Sequence, residues 1–346
     1  MKHQTTRYGE IPFYKIGTFG NTADAFISKK LFLEYKTKYS FPKKGDILIS
    51  ASGTIGRAVI YDGKPAYFQD SNIVWIDNDE TLVKNDFLFY AYSNVKWNTE
   101  YTTILRLYND NFRNTLIPLP PLNEQIAIAN ILSALDNYLH ALRALILKKE
   151  SVKKALSFEL LSQRKRLKGF NQAWQKVGLG DIANYLTSNL SAEQITQQGK
   201  IKVYDVNNFI GYTDTTFISD KPYISIVKDG SVGRVRILPP KTNILSTMGA
   251  LIANHRTTTE FLFYLLSNFD FKNFTSGSII PHIYFKDYKE KTIFLPPLNE
   301  QSAIANILSA LDHEIASLKN KKRQFDNIKK ALNHDLMSAK IRVLEK

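Results

Sequence analysis

The chain repeats itself, and no other feature restricts its possible folds as tightly. Residues 119–136 read LPPLNEQIAIANILSALD and residues 295–312 read LPPLNEQSAIANILSALD, differing only at Ile126 against Ser302. The match continues in looser form, with Lys153-Lys154-Ala155-Leu156 recurring as Lys329-Lys330-Ala331-Leu332. Upstream, residues 86–94 (DFLFYAYSN) echo 260–268 (EFLFYLLSN), 52–57 (SGTIGR) echo 229–234 (DGSVGR), and Phe26-Ile27-Ser28 echoes Phe217-Ile218-Ser219. Anchors in the same order predict two copies of one unit, each a variable globular part followed by a nearly invariant helical part. The period far exceeds the roughly 20–50 residues of a solenoid repeat. A chain of 346 residues is also too long for one ordinary core, so a duplicated domain is the simplest reading.

In the repeated segment, Leu-Pro-Pro-Leu enforces an extended approach, Asn123 or Asn299 then offers a helix cap, and Glu124 or Glu300 suits the positive end of the dipole. Apolar residues follow at spacings of three and four: Ile128, Leu132, Leu135, Leu139, Leu142 and Ile146, then Val152, Leu156 and Leu160. The second copy gives Ile304, Leu308, Leu311, Ile315 and Leu318, then Phe325, Ile328, Leu332 and Leu336. This spacing predicts a coiled-coil seam, interrupted by Lys149 and by Lys322. Each lysine either fixes register or lifts its charge out to water. Helices of about 45 residues would be near 68 Å long at ~1.5 Å per residue. Connectivity predicts that they run antiparallel, with pseudo-two-fold symmetry. They would act as a spacer between two readers, or merely as glue.

The globular parts mix short β-rich runs, at residues 46–50, 58–61 and 71–76, with one apolar helix each, at 87–92 and 261–266. The fold class expected is therefore α+β. The expected division is 1–117 and 169–293 for the two domains, with spacer helices over 118–168 and 294–346.

A formal charge of +14 and a pI near 9.5 attract polyanions. Within the basic chain, Arg57 and Arg234 directly follow two glycine turns that also carry Thr54 and Ser231. Arg106, Asn109, Asn111 and Arg113 share one polar loop, and His255, Arg256, Ser276 and His282 have similar character in the second half. Arginine can read guanine and asparagine adenine with two hydrogen bonds each, while any of these side chains can hold phosphate. Residues 143–168 carry nine basic and two acidic side chains, a solvated face or a surface facing a DNA backbone.

Chemistry of its own is not legible. No phosphate loop of the GxxxxGK[ST] type occurs, and none of Pro120-Pro121, Pro239-Pro240 and Pro296-Pro297 belongs to the Asn/Asp-Pro-Pro-aromatic motif of an adenine methyltransferase. The six histidines show no metal-ligand spacing, and His140 and His313 are expected on helix surfaces. The chain contains no cysteine and no apolar run of the roughly 20 residues that span a bilayer, which fits the cytoplasm.

The duplicated Leu-Pro-Pro-Leu-Asn-Glu-Gln, each copy followed by a long apolar helix and preceded by a variable domain, resembles the specificity subunit of type I restriction-modification enzymes. Asn123-Glu124-Gln125 and Asn299-Glu300-Gln301 match that family's helix-start motif, and the glycine turn with Asp70-Ser71-Asn72 resembles its recognition domains. The resemblance implies a non-catalytic subunit that reads double-stranded DNA at an asymmetric, gapped site. It implies partners as well: two modification subunits that bind S-adenosylmethionine and methylate adenine N6, and two restriction subunits that use ATP and Mg. The six helix-start residues become candidates for partner binding. A coiled-coil scaffold without DNA specificity is the alternative, and a pull-down of partners without DNA affinity would favour it.

The two halves also differ. The second opens at 174–198 with Leu179-Gly180-Asp181-Ile182-Ala183, whereas residues 11–16 of the first match the region near 200–206. The first domain is therefore expected to lack its opening element.

Overall fold

The computed structural model describes residues 4–69, 72–97, 100–101 and 105–343. They form two compact units, residues 1–143 with 320–346, and residues 144–319. The division falls inside each long helix, so each unit owns one globular domain, the first half of one helix and the last half of the other.

Unit 1 runs through β1 (Ile11–Tyr14), β2 (Ala25–Ile27), α1 (Lys29–Lys38), β3 (Ile47–Ser50), β4 (Ala58–Ile60), β5 (Tyr67–Phe68) and β6 (Ile73–Trp75). Then come α2 (Asn85–Tyr92), β7 (Glu100–Tyr101), β8 (Leu105–Arg106), α3 (Asn109–Arg113) and the 40-residue α4 (Leu122–Leu161), which continues into unit 2. Unit 2 adds β9 (Gln175–Gly178), β10 (Ala183–Thr187), β11 (Ile201–Tyr204), β12 (Phe209–Thr213), β13 (Tyr223–Val227), β14 (Val235–Leu238), β15 (Thr242–Ile244) and β16 (Met248–Ala253). It ends with α5 (Thr259–Ser267), β17 (Thr275–Ser276), β18 (His282–Ile283), α6 (Phe285–Tyr288), β19 (Thr292–Leu295) and the 40-residue α7 (Leu298–Met337).

The domains share one plan. In each, a three-stranded sheet joins an antiparallel hairpin to a parallel third strand, β2-β1-β5 in unit 1 and β12-β11-β15 in unit 2. A second sheet is built on a central strand flanked by two antiparallel neighbours, β4-β3-β6 and β14-β13-β16. The central strands are buried along their whole length, which accounts for the largely apolar runs ILI and YISIV, the one serine of the second donating to the Arg236 carbonyl at 3.2 Å. One anchor of the sequence repeat is corrected by this register. Phe26, bridged to Thr6, occupies the place of Tyr212, bridged to Thr196, rather than of Phe217. The shared Phe-Ile-Ser is a coincidence, because α1 follows β2 in unit 1 whereas Phe217 lies in an irregular connection.

Unit 2 carries more strand than unit 1. There β10 extends the second sheet along β16, and β9 pairs with β19. Among the described residues of unit 1, β6 is an edge strand and residues 116–119 form no strand. The core of unit 2 includes Val177, Leu179, Ile182 and Ala183, and the described residues of unit 1 contribute no matching side chains to theirs.

Both long helices start at the leucine after the prolines, one residue before the expected cap. Asn123 and Asn299 sit inside the first turn, each accepting from the next backbone N–H at 2.9 Å. The carbonyls of Pro121 and Pro297 take the first intrahelical bonds. The helices also stop short of the expected 45 residues. Gln163 and Ala339, equivalent positions, each turn left-handed at φ 60° and 54°, which ends the α-helical path.

Within each unit the two half-helices are antiparallel. In unit 1 the order is Glu124 to Arg342, Asp136 to Lys329 and Tyr138 against Phe325. In unit 2 it is Glu300 to Arg166, Asp312 to Lys153 and Glu314 to Lys149. Leu132 with Leu336, and Leu308 with Leu160, bury the helices against their own domain through α2 and α5.

The seam differs from its expected phase at one matched pair. Val152 and Ile328 are exposed at 45% and 49%, and the half-buried inward positions belong to Lys153 and Lys329. Their ammonium groups are held by Asp312 and Asp136, which also accept from Tyr264 and Tyr90 at 2.9 Å. The six-residue step from Ile146 to Val152 had broken the three–four spacing, and the structure keeps the spacing instead. Lys149 bonds across to Glu314 at 2.9 Å, whereas Lys322 bonds along its own helix to Asp326 at 2.7 Å. His140 and His313 lie on the helix surface.

Candidate nucleic-acid interface

In both units a glycine turn and a distant hairpin are bonded side by side. The turn of unit 1 links β3 to β4. Gly53 and Gly56 take φ of 68° and 79°, and a Cβ on Gly56 would lie 2.1 Å from the Trp97 indole nitrogen, so this position requires glycine. In unit 2, Gly233 takes φ 81° and a Cβ there would meet Phe271 at 2.6 Å. The two turns are thus braced by an aromatic ring at equivalent places, and the reading as tight turns holds.

Beside the first turn, Ser52 is bridged to Arg106, Leu107 donates to the Ala51 carbonyl at 2.8 Å, and Ser52 Oγ donates to Asn72 Oδ1 at 2.7 Å. Beside the second, Asp229 is bridged to His282, and the Gly230 N–H donates to the Pro281 carbonyl at 2.9 Å. Arg106 and His282 therefore hold the same station, and each unit brings its post-turn arginine and its hairpin residue to one end of the second sheet. Arg57, exposed, donates to the Phe19 carbonyl at 3.0 Å; Arg234, exposed, donates to Asn207 Oδ1 at 3.0 Å. Thr54 and Ser231 are exposed on the two turns, and Ser276 is exposed on β17, where it pairs with His282.

The second site carries an internal ion pair. His282 Nδ1 lies 2.7 Å from Asp229 Oδ1, and Lys228 Nζ lies 3.1 Å from the other oxygen. Partial burial works against the Asp229 charge, yet the hydrogen bonds from His282 and Lys228 outweigh it and hold the carboxyl below the usual range. His282 also stacks on Tyr284, with ring centroids 6.4 Å apart. The arrangement brings a fixed acceptor, a cation and an aromatic face from the turn and the hairpin to one place, the mixture that reads base edges and grips phosphate.

The remaining candidates lie elsewhere. Asn109 and Arg113 are exposed on α3, with Arg113 3.7 Å from Asp110. Asn111 is buried, and its Oδ1 accepts from the Tyr108 N–H at 2.7 Å, closing the start of that helix. His255 and Arg256 follow the last residue of β16, whereas the glycine turn bonds to Thr247 just before its first. At ~3.3 Å per residue the two ends of that strand are some 17 Å apart, so His255 and Arg256 do not join the turn cluster. Arg256 instead donates to Gln175 at 3.0 Å.

Four of the six helix-start residues are buried and engaged in their own unit. Glu124 accepts two bonds from Arg342 at 2.7 Å, which hold its carboxyl below the usual range. Glu300 accepts from Arg166 at 3.1 and 2.6 Å and from the Trp174 indole at 2.9 Å. Gln125 bonds the Lys84 N–H and the Leu82 and Pro120 carbonyls, fixing the loop before α2. Gln301 does the same before α5 through Thr257, Thr258 and Arg256. Asn123 and Asn299 are exposed.

Sequence reasoning missed Asn207, whose carbonyl also accepts from Arg236 at 3.0 Å while that guanidinium lies 5.2 Å from the Tyr204 ring. The Asn207-Asn208 pair between two β-rich runs is a hairpin signal that pointed there. Of the triplet 70–72, only Asn72 lies within the described residues, and the strand expected from residue 71 is observed from Ile73. Among the described residues no group of three His, Asp or Glu gathers as for a metal, and no helix is long and apolar enough to cross a membrane.

Comparison with known proteins agrees with this geometry. Residues 1–150 and 171–325 match the family described as Type I restriction modification DNA specificity domain. A type I restriction enzyme specificity subunit of Haemophilus influenzae is 63% identical over 137 residues, 39% of this chain and 36% of that protein. The match thus spans little more than a third of that relative's length. The MjaX specificity subunit of Methanocaldococcus jannaschii is 29% identical over 335 residues, covering 86% of this chain and 79% of the relative. The crystal structure of the type I restriction-modification S subunit from M. genitalium shares the fold at a TM-score of 0.65 and 20% identity, over 97% of this chain and 91% of that one. With matches over both halves and the shared fold, the chain belongs to the family of type I restriction-modification DNA specificity domains.

Proposed function

We propose that this chain is the DNA-reading subunit of a type I restriction-modification enzyme, working in the cytoplasm without an active site of its own. Residues 1–117 and 169–293 act as two readers, each recognising one half of a gapped, asymmetric site in double-stranded DNA. The observation that carries the reading is the repeated station where glycine turn and hairpin meet, with Arg57 and Arg106 in one copy and Arg234 and His282 in the other. A net charge of +14 supplies the long-range attraction to the backbone. Arg57, Arg234, Ser231, Thr54, Ser276 and His282 are the contacts favoured by placement. Asn109 and Arg113 are flanking contacts, and His255 and Arg256 contact only DNA that runs past the far end of the sheet.

The catalytic groups then belong to partners: two modification subunits carrying S-adenosylmethionine for adenine-N6 methylation, and two restriction subunits carrying ATP and Mg. Of the helix-start residues, Asn123 and Asn299 face outward and are the ones available to such partners, while the buried Glu and Gln act by holding reader to helix.

The test is a domain exchange. Replacing residues 174–290 with the matching domain of another family member, in a host with the modification subunit, should change one half of the methylated site and leave the other intact. Alteration of both halves together would refute independent readers, and association with partners without any DNA preference would favour the scaffold.

A further inference from the structure

The two units hold their post-turn arginines by different means. Arg57 and Arg234 are both exposed, and in each unit the hairpin of the three-stranded sheet reaches over to bond one of them. The connection between β1 and β2 offers a backbone carbonyl, that of Phe19, whose own ring is buried. The connection between β11 and β12 offers a side chain instead: Arg234 Nη2 donates to Asn207 Oδ1 at 3.0 Å.

Asn207 is itself locked on both sides. Its N–H donates to Asp205 Oδ1 at 2.7 Å, as does that of Asn208, and the Asp205 N–H donates to the Asn208 carbonyl at 3.0 Å, which closes the tip. Its carbonyl accepts from Arg236 Nη1 at 3.0 Å, and that guanidinium lies 5.2 Å from the Tyr204 ring. In unit 1 the strand register puts Val59 at the place of Arg236, packed in an apolar cluster with Tyr14, so the main-chain hold on Arg57 has no such framework behind it. The bond between Arg234 and Asn207 joins two exposed side chains, where water offers the same partners and the bond adds little to stability. What it changes is the freedom of a long cationic side chain.

We propose that Asn207 is a positioning residue of the second reader: it sets Arg234 in the orientation in which that arginine meets DNA, and acts on the nucleic acid only through it. A guanidinium carries five N–H donors in one plane, and Asn207 engages one of them. The remaining edge can still make two parallel bonds, to O6 and N7 of a guanine or to two oxygens of a phosphate. This role rests on the reading of Arg234 as a DNA contact and adds to it the residue that aims the contact. Fixing a free arginine costs roughly thirtyfold in an equilibrium constant, and one anchoring bond offsets part of that before DNA arrives. The first reader has its arginine anchored by main chain, so only the second depends on the identity of a tip side chain.

The test is a double-mutant cycle on the full chain assembled with its host's modification subunit, titrated with a duplex carrying the site that the host methylates. Asn207→Ala should weaken binding about five- to tenfold with an unchanged urea midpoint, and by less than about twofold in the Arg234→Ala background, since a residue that acts through Arg234 then has nothing to act through. Single base-pair changes across the second half-site identify the acceptor: an Asn207→Ala loss confined to one guanine-bearing position marks a base edge, and an equal loss on every sequence marks a phosphate. An undiminished loss in the Arg234→Ala background would overturn the positioning role, as would a loss matched by a fall in the urea midpoint. So would full affinity of Asn207→Ala where Arg234→Ala alone binds weakly, and in that case Arg234 remains a contact. If Arg234→Ala itself changes nothing, the reading of that arginine as a DNA contact falls, and the role of Asn207 with it.

Discussion

Gln301 is the residue through which the second reader is fixed to its helix, and Gln301→Ala is the most informative single change. The side chain is fully buried. Its Oε1 accepts from Thr257 Oγ1 at 2.9 Å and from the Thr258 N–H at 3.0 Å, and its Nε2 donates to the carbonyls of Arg256 at 2.9 Å and Pro296 at 2.8 Å. Each such bond contributes ~1 kcal/mol net, so losing all four costs about 4 kcal/mol; a water entering the space recovers part of this, leaving roughly 2–4 kcal/mol. With a urea dependence of ~2 kcal/mol/M, the unfolding midpoint of unit 2 should fall by about 1–2 M, read by circular dichroism. Gln301→Glu sharpens the test, because a carboxylate would face two carbonyl oxygens where the amide donated. It should destabilise more at neutral pH than in acid, where the added carboxyl protonates and can donate once. A midpoint shift for Gln301→Ala below about 0.3 M, or a Gln301→Glu protein as stable as the original at pH 7, would refute the accounting of this buried amide.

Three further outcomes are expected. Leu308→Ala and Leu132→Ala, both at fully buried positions, should each cost about 2–5 kcal/mol, whereas Ile328→Ala, on the exposed side, should stay within about 0.5 kcal/mol; urea titration distinguishes the observed helix phase from the one with Ile328 inside. The Glu124 carboxyl is held below its ordinary value of 4.5 by Arg342, so its contribution is fully present above that pH and is lost as pH falls through the lowered value; Glu124→Gln should flatten this acid limb of unit 1 unfolding, and an unchanged limb would count against the pair. Arg57→Ala and Arg234→Ala should each weaken DNA binding and reduce the slope of log affinity against log salt by about 1 if the guanidinium holds a phosphate, so a salt slope unchanged in both would remove them from the interface.

What the sequence determined by itself was the duplication, the two domain–helix copies, the α+β class and the family. These rest on local signals that survive in one dimension: eighteen-residue segments that differ at a single position, prolines before an apolar helix, and glycines where φ must be positive. The post-turn arginines were legible too, because each lies next to its turn in the chain.

Three-dimensional packing decided the rest. That Arg106 meets Ser52, or His282 meets Asp229, depends on a bridge between segments some fifty residues apart, which no spacing rule encodes. His255 and Arg256 read as equally good contacts until β16 placed them beyond its opposite end. Glu124 and Glu300 read as first-turn charges suited to the helix dipole, yet each is buried against an arginine from the segment that follows the other long helix. Helix periodicity could be counted from the sequence, but which lysine turned inward at Lys153 and Lys329 was fixed by the aspartate and tyrosine waiting there, since a half-buried charge goes where its partner is.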